Sequence, residues 1–454
     1  MHDLTQGHVG RLIFRFTLPI LVGNIFQQMY QIIDSIIVGH YVGKQALAAV
    51  GASFPIIFLV LSFTIGIAMA GTVIVSQYFG AKDFDGVKRS IDTLNIFLVI
   101  AAVVIAVISI LLSHEIFRLM RLPAEIIPSA VRFFNIMMLG TVFTFVFNGT
   151  TAVLRGMGDS KTPLYFLTIS TLLNVVLDLI FIVGLGWGIA SVAMATVISQ
   201  GCALGALILY LNKRHAIIKF NPSDIRFDRK IFIKSLKIGL PVGLQQMFVA
   251  LGMMALMVIV NSFGTDVIAA YSVAWRIDSL ASMPGMNLAI ALSAFVGQNM
   301  GAQRSDRVVT GLKATLLMAS GVTVIMSVVA YGWGSQLMKI FTNDLAVIAV
   351  GEQYLKIVGV FYMAFNAMFI IGAVMRGAGD TFFPILISLF SLWLVRLPLA
   401  FFLSKHFHEV GIWWSIPIGW TIGTLLSYTY YKMGRWKNKV IIERKDQVTP
   451  LPEP

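Results

Sequence analysis

Few residues in this chain could do chemistry, and they are spaced like the faces of helices. Asn24, Gln27, Gln31 and Asp34 follow one another at steps of 3, 4 and 3, which at about 100° per residue gathers them on one side of a helix. Thr171, Asn174 and Asp178 continue that spacing further on, and Thr196, Ser199 and Gln200 make a third polar edge. All of them interrupt long apolar stretches. An ionisable residue inside a membrane costs about 2.5 to 3.5 kcal/mol on insertion scales, so two carboxyl groups there need a use. Three such edges should turn toward one another rather than toward lipid. They then offer two carboxylates, an amide oxygen and hydroxyls, which can hold a proton or coordinate Na⁺. The competing reading is hydrogen-bonded glue between helices. Asn, Gln and Ser would serve as glue at lower cost, so Asp34 and Asp178 are assigned to function, while Thr196 and Gln31 fit either reading.

Other polar features carry less. Arg276 and Asp278 lie in a later apolar block, where they could contact a transported molecule, act as a gate or pair with backbone. Two positions apart, they do not share a helix face, so separate partners are expected. Met253, Met254 and Met257 form the densest part of a set of 22 methionines. Flexible thioethers suit a promiscuous cavity, although packing and lipid contact are their commoner use. The seven histidines, His2, His8, His40, His114, His215, His406 and His408, are all placed in termini or loops. No metal or hydrolase constellation falls within the membrane, which argues against an enzyme and implies no cofactor.

The elements that position these residues follow from composition. Of 454 residues, 57% are hydrophobic and 12% charged, about half the charged share of a soluble domain, and too little to cover a water-facing surface. The apolar residues gather into blocks long enough to cross a hydrocarbon core about 30 Å thick. About twelve helices are expected, near 11–38, 47–77, 90–112, 128–154, 162–183, 188–211, 232–262, 267–297, 308–331, 349–375, 381–403 and 411–431. The net charge of +13 could suggest nucleic acid, but placement decides otherwise. Alternate connections hold 25 of the 34 Lys and Arg and the opposite ones hold 7, a positive-inside bias that sets both termini in the cytoplasm. The first block is too long for a cleaved signal and lacks a small-residue cleavage site, so it is read as the first span. The lone Cys202, inside an apolar block, excludes an intrachain disulfide.

A self-comparison at a shift of 221 residues organises the whole chain. Gln77-x-x-Gly80-Ala81 meets Gln298-x-x-Gly301-Ala302, and Arg155-Gly156-x-Gly158-Asp159 meets Arg376-Gly377-x-Gly379-Asp380. Gly43 falls on Gly264 and Ala48-Ala49 on Ala269-Ala270, while Pro19 and Pro241 match one residue out of register. Two six-helix units follow, 1–220 and 221–454, the second with a basic tail, joined by the polar linker Asn212–Lys230. An even number of spans per unit relates them by a pseudo-two-fold axis along the membrane normal, with a cavity between. The RGxGD loops lack the Lys-Ser/Thr of a phosphate loop and follow no strand. They are read as tight turns, with Gly for unusual dihedrals, Asp as a cap for the next helix and Arg at the membrane surface. Energy must then come from an ion gradient. The repeated scaffold does not repeat the polar set: Asn174 meets Val395, Asp178 meets Leu399 and Thr196 meets Pro417.

Over nearly its whole length the chain resembles the multidrug and toxic compound extrusion (MATE) family. The resemblance rests on Pro19 with Asp34-Ser35-Ile36-Ile37-Val38-Gly39, Ala48-Ala49, Gln77-Tyr78-Phe79-Gly80-Ala81, both RGxGD loops and Asn174-x-x-x-Asp178. It implies an all-α polytopic membrane protein with two six-helix lobes around a cleft, exporting small organic, often cationic and aromatic compounds in exchange for H⁺ or Na⁺. In the DinF-like branch the first-lobe cation site maps onto Asp34, Asn174, Asp178 and Thr196. The NorM-like branch has acidic residues in the seventh and tenth helices, where this chain has Gln245, Gln246 and Asn366, which favours the DinF-like branch. Asn24, Gln27, Gln31, Gln245, Gln246 and Arg276 are the candidates for the substrate cleft. The expected protein is a monomer in the inner membrane, contacting lipid and no nucleic acid. A flippase for lipid-linked oligosaccharide is the alternative, and it would require several Arg and Lys in the cavity.

Overall fold

The computed structural model describes residues 2–214, 218–219 and 225–442. The expected unit boundary at 220/221, His215, most of the linker's middle and the tail with Arg444 and Lys445 lie outside the described residues. Among these, secondary structure is helical, with no strand. The first lobe comprises α1 (Val9–Ile37), α2 (Lys44–Gly80), α3 (Phe84–Leu119), α4 (Ile127–Leu139), α5 (Thr141–Gly156), α6 (Lys161–Asp178) and α7 (Ile189–Arg214). The second comprises α8 (Arg229–Asn261), α9 (Thr265–Gly301), α10 (Ser305–Gly332), α11 (Gly334–Lys339), α12 (Leu345–Gly359), α13 (Tyr362–Ala378), α14 (Phe382–Leu389) and α15 (Leu397–Lys432).

These elements make twelve crossings. Nine helices among the described residues are long and apolar enough to span, and the pairs α4 with α5 and α12 with α13, bent by 45° and 48°, add one each. The stretch Phe382–Lys432 has 51 residues, too many for one pass through about 30 Å. It breaks at Phe407 and His408, whose dihedrals are non-helical. A Cβ on Gly411 would lie 2.3 Å from the Leu403 carbonyl carbon, so the chain reverses there and α15 holds two spans. Leu111, Leu317 and Ile325, more than half exposed, lie on outer faces suited to lipid.

The lobes meet along α2, α8 and α9 through glycine. A Cβ on Gly66 would sit 2.2 Å from the Gly239 carbonyl oxygen of α8, an approach only small residues permit. At the end that carries both termini, the repeated QxxGA motifs cross. A Cβ on Gly80 would sit 1.9 Å from the Gln298 carbonyl oxygen, and one on Gly301 2.0 Å from that of Gln77. The two glutamines are fully buried and reach into the opposite lobe. Gln77 Nε2 donates to the Gly377 carbonyl at 3.1 Å and its Oε1 accepts from the Ile441 amide at 2.8 Å. Gln298 Nε2 donates to the Gly156 carbonyl and its Oε1 accepts from the Leu4 amide, both at 2.9 Å. Each glutamine thus binds the other lobe's RGxGD loop and one chain terminus. The bundle is shut at this end.

The RGxGD loops differ in part from expectation. Gly158 and Gly379 adopt φ of 80° and 103°, as tight turns require. Asp159 caps α6, its Oδ1 accepting from the Lys161 and Thr162 amides at 3.1 and 3.0 Å. Asp380 instead accepts from the Tyr430 hydroxyl at 2.6 Å. The arginines are not at the surface: Arg376 Nη2 reaches back to the Phe369 carbonyl at 3.2 Å, and Arg155 lines a first-lobe cavity. Helical side chains lean toward the N-terminus, and α5 and α13 end at these loops, so the lean carries both arginines inward. His40, His114 and His406 also depart from expectation, because the π-helical turn Val38–Val42, α3 and the first part of α15 extend past the apolar blocks and include them.

Candidate functional site

The three polar edges of the first lobe converge. α1 brings Tyr30 and Asp34, α6 brings Asn174 and Asp178, and α7 brings Thr196. Asp178 is fully buried and Asn174 nearly so. The Asp34 and Asp178 carboxyl groups are in hydrogen-bonding contact with one another. Two carboxyl groups in contact need something positive between them, a shared proton or a cation. The Oδ1 atoms of both have no protein partner, so oxygen lone pairs are available.

Asn174 links this pair to α7. With its amide nitrogen toward Asp178 it donates to Oδ2 at 3.0 Å, and its oxygen accepts from the Thr196 amide at 3.1 Å. Turned over, its nitrogen faces Thr196 Oγ1 at 3.3 Å. The first orientation satisfies both ends. Thr196 Oγ1 lies 3.4 Å from the Tyr30 hydroxyl. Tyr30 was not singled out from the sequence, although its position four residues before Asp34 puts it on the same helix face.

Local structure explains the placement. π-helical turns follow both carboxylate-bearing segments, Val38–Val42 after α1 and Leu179–Gly184 after α6, and such turns recur at functional sites because they re-aim side chains. Ile37, Val38, Ile182 and Val192 pack together beside the carboxyls and cover them on the side away from the termini. On the other side lies a cavity of about 290 Å³ lined by Asn24, Gln27, Thr144, Asn148, Ser170 and Gln200 among others. Ser170, rather than Thr171, continues the Asn174 face into it. Gln200 accepts a hydrogen bond from Thr144, and Ser199 donates to the Thr196 carbonyl at 2.9 Å. A more apolar cavity of about 440 Å³, near Asp92 and Asn212, lies away from these carboxyls.

The cleft candidates divide. Asn24 lines the first-lobe cavity and also a second-lobe cavity of about 310 Å³. Its Nδ2 donates to Asn287 Oδ1 of α9 at 2.6 Å, a link between lobes. Asn287 gave no signal in the sequence, since it lies 263 positions away. Gln27 lines the first cavity, and Gln31 is exposed on the same face of α1. Gln245 hydrogen-bonds to Ser388 within its own lobe, and Gln246 is half-buried beside it. Arg276 and Asp278 have separate surroundings, as their spacing predicted. The Arg276 side chain is exposed, whereas Asp278 is buried and accepts from the Tyr354 and Tyr362 hydroxyls. Cys202 is exposed and free. No cluster of three or more His, Cys, Asp or Glu suited to a metal occurs among the described residues.

Comparison with known proteins agrees with this architecture. The MatE family profile matches twice, over residues 19–180 and 241–402. The chain is 33% identical to the probable multidrug resistance protein YpnP of Bacillus subtilis (strain 168), across 98% of this chain and 99% of that protein. It is 32% identical to the probable multidrug resistance protein YoeA of the same organism, across 96% of each. Its fold superposes with a TM-score of 0.90 on a multidrug resistance MATE transporter in the outward-facing conformation, at 23% identity and covering 96% of this chain and 98% of that one. Two matched repeats, full-length relatives and a shared twelve-helix fold make this chain a member of the MATE family of membrane transporters, proteins that move substrates rather than act as enzymes.

Proposed function

We propose that the chain is an ion-coupled exporter of small organic compounds, with Asp34, Asp178, Asn174 and Thr196 as the cation-coupling site and Tyr30 as its fifth member. The observation that carries this reading is the pair of contacting carboxyl groups inside the first lobe, each with a partnerless oxygen. The donor set suits one proton, or Na⁺ held by carboxylate, amide and hydroxyl oxygens. The relatives' names, multidrug resistance proteins, support organic compounds as cargo. The placement of this site in the first lobe alone favours the DinF-like branch. The basic side of the chain, which carries the termini, is assigned to the cytoplasm, so the cleft faces outward and a single chain works as the unit.

In the proposed cycle a cation enters from outside and settles between Asp34 and Asp178, drawing α1 toward α6 and α7. Asn24, on the same helix, then parts from Asn287, and the bound compound loses one wall of its site. Reopening toward the cytoplasm requires the Gln77 and Gln298 contacts to release. Asp34→Asn and Asp178→Asn remove the charge with little change in volume. Both variants should insert and fold yet lose efflux of an organic dye driven by an imposed H⁺ or Na⁺ gradient in proteoliposomes. Wild-type efflux in both would overturn the site assignment.

A further inference from the structure

The second lobe contains its own buried ionisable cluster, and its unpartnered polar atom belongs to a guanidinium. Arg396, only 7% exposed, lines the second-lobe cavity with Asp278, Trp275, Trp420, Phe365 and Asn287. Asp278 faces inward: each of its oxygens accepts from a tyrosine hydroxyl, Oδ2 from Tyr354 and Oδ1 from Tyr362. Arg396 is not satisfied in the same way. It hydrogen-bonds to the Tyr271 hydroxyl and is near enough to Asp278 to act on it electrostatically, yet its Nε has no partner. A guanidinium has five N–H donors and no acceptor. With the carboxylate already served by two phenols, and Tyr271 taking part of the guanidinium, donor capacity is left on Arg396 for an acceptor in the cavity.

The position is not accidental within the repeat. At the shift of 221, Arg396 falls on Val175, next to Asn174 of the first-lobe site. In the second lobe the segment Phe390–Arg396 is π-helical, and i→i+5 winding moves the following side chains round the helix by about one position. Arg396 thereby takes the angular place that Asn174 holds in the first lobe. Where one lobe presents carboxyls to a cation, the other presents a fixed cation to the cleft.

We propose that the second-lobe cavity binds aromatic organic compounds that carry a carboxylate, with Arg396 holding the carboxylate and the aromatic side chains Trp275, Trp420 and Phe365 flanking the ring. Arg is suited to this because its planar fork matches a carboxylate's two oxygens, and indole and phenyl faces accept an aromatic body. The proposal deepens the transport reading above and rests on it for the cleft being a binding site for organic cargo. The alternative use of Arg396, as a built-in counter-charge to Asp278 alone, would leave the cavity indifferent to the ligand's acid group.

The test is equilibrium binding of dansylglycine and of its methyl ester to the purified protein in neutral-lipid nanodiscs, read by energy transfer from tryptophan to the dansyl group. Trp275 and Trp420 line the cavity and serve as donors. The wild type should bind the acid at least tenfold more tightly than the ester. R396Q should erase that preference by weakening the acid at least tenfold more than the ester, and R396K should retain it. Equal affinity of the wild type for acid and ester would overturn the proposal, as would R396Q weakening both ligands alike. No gradient is imposed, so failure here leaves the efflux test of Asp34 and Asp178 untouched, and failure of that test leaves this one readable.

Discussion

Replacing Gln298 by Ala tests whether the repeated QxxGA motif is a lock between lobes or merely a packing motif. In the state described here, Gln298 is fully buried and makes two hydrogen bonds of 2.9 Å, one to the Gly156 carbonyl and one from the Leu4 amide. Each buried hydrogen bond is worth about 0.5 to 1.5 kcal/mol net, so the closed state loses about 2 kcal/mol when both go. In a state where this end opens, water reaches the same backbone groups and nothing is lost. The whole difference therefore appears in the conformational equilibrium, and at 1.4 kcal/mol per factor of ten it shifts the open-to-closed ratio by about 30-fold. Lys161 and Phe382 begin equivalent helices in the two lobes and are exposed at this end. Spin labels on K161C and F382C, in a C202S background, report the separation by pulsed dipolar spectroscopy. The parent should give one short distance, and Q298A should add a longer one at a much raised population. An unchanged distribution in a folded Q298A protein would refute the reasoning, because the two bonds would then contribute equally to both states.

Further outcomes follow from the same geometry. Gly80→Ala should open this end more strongly than Q298A in the same label pair, because its Cβ would stand 1.9 Å from the Gln298 carbonyl oxygen, which is backbone and cannot step aside. Asn24→Ala and Asn287→Ala should each slow efflux, and the double variant should be no slower than either, a coupling of about 0.5 to 3 kcal/mol in a double-mutant cycle. Additive losses would mean that the 2.6 Å contact does not link the two residues' roles. Tyr30→Phe should raise the ion concentration for half-maximal efflux two- to tenfold, in line with one hydrogen bond of about 0.5 to 1.5 kcal/mol; no change would remove Tyr30 from the site.

What was legible in the sequence was whatever helical periodicity or the repeat could carry. Asn174, Asp178 and Asp34 announced themselves because a polar residue inside an apolar block is costly and because steps of 3 and 4 fix a face. The twelve spans came from block length, and the RGxGD turns from their glycines. Contacts between distant segments were not legible. Asn287 sits in α9 among more conspicuous polar residues, Arg276, Asp278 and Gln298, and only folding brings it against Asn24. Arg396 gave no cavity signal of its own, since its facing depends on a π-helical stretch, Phe390–Arg396, that no local pattern marks. Arg276 was a cleft candidate on composition, and its side chain is exposed while the neighbouring Asp278 is buried. The inward turn of Arg155 and Arg376 was also hidden, because it depends on which way the helix runs relative to the bundle.

The repeat divides the protein into what symmetry builds and what it leaves to each copy. The closure between lobes is symmetric: Gln77 and Gln298, Gly80 and Gly301, and the two RGxGD loops exchange equivalent contacts. A lock made this way has two equal halves and should release as a unit, since losing one crossing glutamine leaves the other's glycine crossing without its counterpart. The chemistry is asymmetric, with contacting carboxyls in one lobe and a guanidinium in the other. An ion bound in the first lobe cannot act on the second through the symmetric contacts alone, because those lie at the far end of the bundle from Asp34. α1 is the element that joins the two. It carries Asp34 and Tyr30 at the ion site, Asn24 at the contact with Asn287, and Pro19 between those residues and the closed end, where a missing backbone N–H makes bending cheap. The proposed coupling is therefore assigned to the movement of one helix rather than to the rocking of two rigid halves, with Asn24 as the residue at which the proposed ion site would meet the proposed cargo site.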